Sequence, residues 1–167
     1  MKEKIIGGRC FIFGALDLKT AAQRPADGDY VIAADRGYAV ARSLGIVPDL
    51  VVGDFDSLGE APDADGIVRL EVRKDDTDLE HAVRLALEKG YRELIVYGAV
   101  GGVLDHTLGN IAVAEIAANA GAKAVFIGDD SAFTVIRDGV LTLPARERGR
   151  VSVMSLSEVS RGVTIKG

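Results

Sequence analysis

The chain has 167 residues, enough for one well-packed domain and a small second lobe. Apolar residues make up 48% and charged residues 27%, which excludes an intrinsically disordered chain. The formal net charge of −5 argues against a general nucleic-acid-binding protein, because no basic face offsets it. The single cysteine, Cys10, excludes a disulfide framework and suggests a reducing compartment. No stretch approaches the roughly 18 apolar residues of a membrane span, so we expect a soluble cytoplasmic protein that does not bind membranes.

Short apolar runs alternate with helix-length segments as far as residue 129. Strands are predicted at Cys10–Phe13, Tyr30–Ala34, Leu50–Val52, Ile67–Leu70, Leu94–Tyr97 and Val125–Ile127. Helices are predicted at Tyr38–Leu44, from Leu79 to the stop at Gly90, and at Leu108–Ala120. This alternation predicts an α/β fold, a doubly wound and mostly parallel sheet with helices on both faces.

The pattern changes after Asp129. Short strands are predicted at Phe133–Ile136, Val140–Leu143 and Arg150–Leu156, without helices between them. We therefore place an α/β domain over residues 1–129 and the start of an antiparallel β lobe over residues 130–167. So few strands form a marginal sheet alone, and we expect the chain to be incomplete or dependent on a partner subunit.

Acidic residues follow four predicted strands. They are Asp35, Asp54 with Asp56, the group Asp75, Asp76 and Asp78, and Asp105. The carboxyl ends of parallel strands share one edge of the sheet, so these carboxylates should converge there. Two carboxylates about 4 Å apart repel by roughly 4 kcal/mol at an effective dielectric near 20, which a cation would relieve. The set predicts a magnesium and phosphate site.

Other interpretations of these residues stay open. Taken singly, Asp35 or Asp105 could be a helix N-cap, and Thr77 with Glu80 fits a capping box. The loop Gly98–Gly102 could wrap a phosphate with backbone N–H groups, although it lacks the lysine of a nucleotide-binding P-loop. His106 is interpreted from the residues alone as a hydrogen-bonded structural histidine. Ser57 could cap the next turn or contact a phosphate, and Lys74 is one of the nearest cations.

Together these motifs resemble the thiamine pyrophosphokinase family. The matching stretches are AADRGY (Ala33–Tyr38), GIVPDLVVGDFDSL (Gly45–Leu58), KDDTDLEHA (Lys74–Ala82), GAVGGVLDHTLGN (Gly98–Asn110) and GVTIKG (Gly162–Gly167). The resemblance implies a catalytic domain over residues 1–129, part of a thiamine-binding β-sandwich over residues 130–167, and a homodimer. It also implies transfer of the pyrophosphoryl group of ATP to thiamine, with Mg²⁺ as cofactor.

The same resemblance implies roles for single residues. Asp54, Asp56 and Asp78 are expected to bind the magnesium ion, and Asp35, Asp54 and Asp105 are expected to be the catalytic carboxylates. Contacts to the nucleotide or substrate are expected from a wider set: Ser57, Lys74, Thr77, Gly101, Gly102, His106 and Asn110.

The sequence departs from the family pattern at two site positions. Val103 stands where the family usually has an arginine, and Arg36 stands where it usually has a glycine. We hypothesise that Arg36 supplies part of the missing charge. The alternatives are a degenerate or truncated nucleotide-binding relative without turnover, and a nucleotide-sugar transferase that uses Asp54-Phe55-Asp56 as its metal pair.

Overall fold

Seven strands form one sheet in the computed structural model, which describes residues 8–54, 66–69, 76–145 and 147–167. Every neighbouring pair of strands is parallel except β6 with β7, in the order β4-β3-β2-β1-β5-β6-β7. The predicted α/β class with a mostly parallel sheet is confirmed. The strands are β1 (Arg9–Phe13), β2 (Tyr30–Ala34), β3 (Leu50–Gly53), β4 (Gly66–Arg69), β5 (Glu93–Tyr97), β6 (Lys123–Ile127) and β7 (Ala132–Thr134).

Three helices connect the strands in the described residues: α1 (Gly37–Ser43), α2 (Asp78–Glu88) and α3 (Leu104–Asn119). None of them is long and apolar enough to cross a membrane. The helix α3 begins at Leu104 rather than at the predicted Leu108. Its first two turns are largely exposed and its buried residues start at Val113, so apolar periodicity does not mark its true beginning.

Most of the core lies in two clusters that take alternate residues from the same strands, and a third, small cluster consists of Ala33 and Val51. One cluster joins Cys10 and Ile12 of β1 to the buried residues of α2 and α3. The other joins Phe11 and Phe13 of β1 to buried residues of α1. Successive side chains of a strand point to opposite faces, so the two clusters lie on opposite faces of the sheet.

The strand order places a topological switch between β1 and β5. From β1 the chain continues to β2, β3 and β4 on one side, whereas β5 pairs with the other side of β1. The connections that follow β1 and β5 therefore lead to opposite halves of the sheet. In α/β sheets of this kind, ligands bind in the crevice at the carboxyl ends of these strands.

The predictions for the last forty or so residues need correction. The segment predicted as Phe133–Ile136 is the short strand β7, which joins the edge of the same sheet, antiparallel to β6. In the ranges 135–145 and 147–167 there is no strand, so Val140–Leu143 and Arg150–Leu156 were wrongly predicted. Alternating apolar residues form a strand only where a partner supplies backbone hydrogen bonds. Here their side chains are exposed.

The amino edge of the sheet is fixed by the buried carboxylate of Asp29. It accepts hydrogen bonds from Arg9 Nη2 at 2.7 Å, from Arg9 Nε at 3.2 Å and from the N–H of Ala26 at 2.9 Å. Burial acts to raise the pKa of Asp29, but the hydrogen bonds outweigh it and hold the pKa below its ordinary value. This carboxylate ties the start of β1 to the turn before β2.

We expect Asp29→Asn to lower the urea midpoint of unfolding at pH 7, because it removes the charge that Arg9 contacts. The pKa of Asp29 is lower in the folded chain than in the unfolded chain. Its stabilising effect is therefore complete above the unfolded-state pKa and is lost as pH falls through the folded pKa. The difference in urea midpoint between variant and wild type should therefore become smaller below about pH 3.

The exposed carboxylate of Asp27 offers a matched control two residues away. Asp27→Asn should leave the urea midpoint nearly unchanged both at pH 7 and below about pH 3. A destabilisation by Asp29→Asn that is equally large in acid would contradict the role assigned to its charge.

Candidate functional site

Backbone packing at the carboxyl end of β1 brings three segments together. The N–H of Gly14 donates to the carbonyl of Tyr97 at 2.7 Å, and the N–H of Leu16 donates to the carbonyl of Gly98 at 3.2 Å. On the other side, a Cβ atom on Gly37 would lie 1.9 Å from the carbonyl oxygen of Phe13. The loop after β1, the start of α1 and the loop after β5 are thus in direct backbone contact.

Asp35 and Asp54 directly follow the neighbouring strands β2 and β3. The N–H of Asp35 donates to the carbonyl of Val52 at 2.7 Å. A Cβ atom on Gly53, the residue before Asp54, would lie 3.2 Å from the Cα atom of Asp35. Asp35 has φ +45°, a left-handed conformation that Asp tolerates better than most residues. The structure therefore places these two half-buried acidic residues side by side at the edge of the sheet.

Neither Asp35 nor Asp105 is a helix N-cap. The N-cap residues of α1 and α3 are Arg36 and Val103, and neither helix has a side-chain cap. Asp105 lies in the first turn of α3, where its Oδ1 accepts from the N–H of His106 at 2.7 Å. Within the described part of the chain the exposed His106 ring makes no hydrogen bond, so the prediction of a hydrogen-bonded structural histidine is wrong.

The glycine loop between β5 and α3 is fixed by two side chains of α3. Asn110 Nδ2 donates to the carbonyl of Ala99 at 2.7 Å. Thr107 Oγ1 accepts from the N–H of Gly101 at 3.3 Å and donates to its carbonyl at 3.2 Å. The N–H of Gly101 is thus engaged within the chain, and a phosphate would have to compete for it. Asn110 was among the predicted site residues, whereas Thr107, which lies one helical turn before it, was not.

A cleft of about 280 Å³ opens at the switch between β1 and β5. Its size is just below the usual range of small-molecule sites. The predicted residues Gly101 and Gly102 line it, with φ of +106° and +66°. Val100, from the same predicted loop, also lines it, whereas the other lining residues were not predicted: Leu16, Asp17, Asp129, Asp130 and Ser131.

The signal that locates Asp17, Asp129 and Asp130 was present in the sequence. Each follows a strand by a few residues, as the four recognised acidic groups do. Asp17 is bound by Arg36, whereas Asp129 accepts from the backbone N–H of Lys19 at 3.1 Å. The carboxyl edge of the sheet therefore carries more acidic residues than the four predicted groups.

The remaining predicted residues are only partly placed. Thr77 is the N-cap of α2 and accepts from the N–H of Glu80 at 3.1 Å, as the capping interpretation predicts. The Glu80 side chain instead accepts from Arg84 at 2.9 Å. Asp78 is the first residue of α2 and is half-buried. Four predicted residues, Asp56, Ser57, Lys74 and Asp75, lie outside the described residues.

The donor chemistry of the site suits a hard divalent cation. Asp35, Asp54 and Asp78 offer only carboxylate oxygens, which Mg²⁺ prefers over softer ligands. Among the described residues no group of three or more such side chains is close enough to hold a metal ion alone. Magnesium usually takes one or two protein carboxylates together with water and substrate phosphates, so the residues present fit it.

Fold and site together define a class: an α/β domain with acidic residues at the carboxyl edge of a mostly parallel sheet and a glycine loop that lines a cleft at the switch of that sheet. The family model for the catalytic domain of thiamin pyrophosphokinase matches residues 22–126, which is more than half of the chain. The chain therefore belongs to the thiamine pyrophosphokinase family.

Individual relatives agree with this assignment. The chain is 29% identical over 143 residues to the thiamine pyrophosphokinase of Bacillus subtilis, covering 81% of this chain and 67% of that protein. The crystal structure of the Bacillus subtilis enzyme matches with a TM-score of 0.61 at 30% identity, over 71% of this chain and 60% of that chain. The Geobacillus thermodenitrificans structure gives 0.60 at 29% identity, over 70% and 59%. The chain thus spans about three fifths of these solved chains.

The contact between Gly37 and Phe13 provides a test of the site's geometry. We expect Gly37→Ala to displace the segment that carries Asp35 and Arg36, because the added Cβ cannot fit 1.9 Å from a carbonyl oxygen. The variant should lose at least about 2 kcal/mol of unfolding free energy, as overpacked cores do. Urea unfolding followed by circular dichroism measures the change.

Gly109→Ala is the matched control. Nothing lies within 4 Å of a Cβ atom at this position of α3, so the variant should gain up to about 1 kcal/mol from helix propensity. Equal stability of the two variants would show that the packing at Phe13 does not constrain Gly37.

Proposed function

We propose that this chain transfers the pyrophosphoryl group of ATP to the hydroxyl of thiamine, giving thiamine diphosphate and AMP. The observation that carries the proposal is the family match over residues 22–126, which contains the adjacent acidic residues Asp35 and Asp54. The relatives that share this region are named thiamine pyrophosphokinases. Family membership also favours this reaction over transfer from a nucleotide sugar.

Asp54, Asp56 and Asp78 are the proposed ligands of a magnesium ion. When bound, the ion supplies positive charge that neutralises the oxygens of the ATP phosphates. Asp54 directly follows β3 and Asp78 begins α2, so these two proposed ligands are positioned by elements held by the core. Rigid elements of this kind fix a metal site better than loops do.

The remaining residues are proposed to position the reactants. The thiamine hydroxyl oxygen attacks the β-phosphorus of ATP, the bond from that phosphorus to the bridging α,β-oxygen breaks, and AMP leaves. One carboxylate, Asp35 or Asp105, accepts the hydroxyl proton. Nucleotide contacts are proposed for Ser57, Lys74, Thr77, Gly101, Gly102, His106 and Asn110. Transfer of this type depends mainly on positioning and charge neutralisation.

The rest of the working enzyme is also part of the proposal. Residues 1–129 are the catalytic domain, and residues 130–167 belong to a thiamine-binding lobe. The exposed apolar residues of that second segment, such as Val151, Val153 and Ile165, support a partner for it. We propose a homodimer in the cytoplasm, with the partner subunit covering these side chains.

We expect Asp54→Asn to reduce thiamine-dependent release of AMP from ATP at least about 100-fold, because an amide neither carries the charge nor binds magnesium as a carboxylate does. Chromatographic measurement of AMP gives the rate. Asp27→Asn, an exposed aspartate on the opposite edge of the sheet, should keep the wild-type rate. Full turnover by Asp54→Asn would reject the proposed site.

Chelation provides a second test. Excess EDTA should abolish AMP release, and added Mg²⁺ should restore it. In thermal unfolding, ATP with Mg²⁺ should raise the midpoint of the wild type more than ATP with EDTA does, since a bound ligand stabilises the folded state. The same midpoint shift with and without Mg²⁺ would show that the nucleotide binds without a metal.

A further inference from the structure

An exposed ion pair lies beside the proposed phosphate site. Arg36 Nη2 contacts both carboxylate oxygens of Asp17, at 2.9 and 3.0 Å. Arg36 directly follows Asp35, and Asp17 lines the cleft together with Gly101 and Gly102. The pair therefore spans the rim from the acidic end of β2 to the cleft at the switch between β1 and β5.

This ion pair is poorly suited to a structural role. The Arg36 side chain is 56% exposed and that of Asp17 is 80% exposed. Pairs exposed to this degree typically contribute about 0.2–1 kcal/mol to stability. Asp29, by contrast, is 9% exposed and links two strands. The Asp17–Arg36 pair can thus exchange partners at little cost to the fold.

The guanidinium of Arg36 has donors to spare. Among the described residues, only its Nη2 donates side-chain hydrogen bonds, although a guanidinium carries five N–H donors. An arginine binds phosphate through two parallel hydrogen bonds, as it binds a carboxylate, and the phosphate chain of a nucleotide carries more negative charge than a single carboxylate. A phosphate at this rim can therefore displace the Asp17 carboxylate from the guanidinium of Arg36.

The charges around the cleft favour this exchange. Three carboxylates line the cleft, and the cations that contact them within the described structure are Arg36 and Lys19. Lys19 is bound to Asp129 both through its backbone N–H and, at 3.8 Å, through its Nζ. Of these two cations, Arg36 is the one that directly follows Asp35, a proposed catalytic carboxylate.

We propose that Asp17 is a displaceable partner of Arg36, which holds the guanidinium at the rim until a nucleotide phosphate replaces the carboxylate. Arg36 thereby contacts the phosphate chain, and Asp17 sets how tightly the nucleotide binds. This inference rests on the proposed function only in taking a nucleotide as the ligand. It makes Asp17 a residue that weakens nucleotide binding.

Titration calorimetry with ATP and Mg²⁺ tests the exchange without requiring turnover. Arg36→Ala should raise Kd about tenfold, and Arg36→Lys should recover part of that loss. Asp17→Asn should lower Kd about two- to fivefold, the range of an exposed ion pair. In the Arg36→Ala background, Asp17→Asn should have no such effect. High salt should reduce the gain from Asp17→Asn.

Arg137→Ala is the matched control. Arg137 is a similarly exposed arginine, which donates to Asn119 at 2.7 Å near the end of α3, away from the cleft. This variant should bind as the wild type does. A normal Kd for Arg36→Ala, or weaker binding by Asp17→Asn, would overturn the proposal.

Failure of the proposed function gives a different result. A wild type that binds ATP with Mg²⁺ but never forms thiamine diphosphate refutes the transferase activity, while the Kd values still decide the role of Asp17. A wild type that binds no nucleotide overturns both proposals.

Discussion

The site depends on backbone packed against backbone at the carboxyl end of β1. A Cβ atom on Gly14 would lie 2.7 Å from the carbonyl oxygen of Gly98, and one on Gly37 would lie 1.9 Å from that of Phe13. These distances leave no room for a side chain at either position. The contacts bring the loop after β5 and the start of α1 against the same strand. These backbone contacts position Asp35, Arg36 and the cleft at the rim.

Described aspartates lie at both edges of the sheet. Asp29 and Asp49 lie at the amino edge, where they accept backbone and arginine hydrogen bonds that join neighbouring strands. Asp35, Asp54 and Asp17 lie at the carboxyl edge, and Asp17 is largely exposed. The same residue type thus joins strands at the amino edge and forms the proposed ligand site at the carboxyl edge.

Sequence patterns located the elements well where burial follows from local composition. The strands β2, β3 and β5 are short apolar runs buried on both faces, and their predicted and observed bounds nearly coincide. Patterns failed where burial depends on a distant partner. The start of α3 is exposed, so its periodicity gave no signal, and the alternating residues 150–156 form no strand because nothing pairs with them.

By itself the sequence determined the α/β class, the family and the rule that acidic residues follow the strands, because these depend on residue order alone. Only the tertiary structure decided which of those residues meet. Strand order placed the switch between β1 and β5, and with it the cleft and Asp17. The contact of Arg36 with Asp17, 19 residues away, likewise arises from packing between loops. Contacts of this kind depend on how strands are ordered in space, which no local pattern encodes.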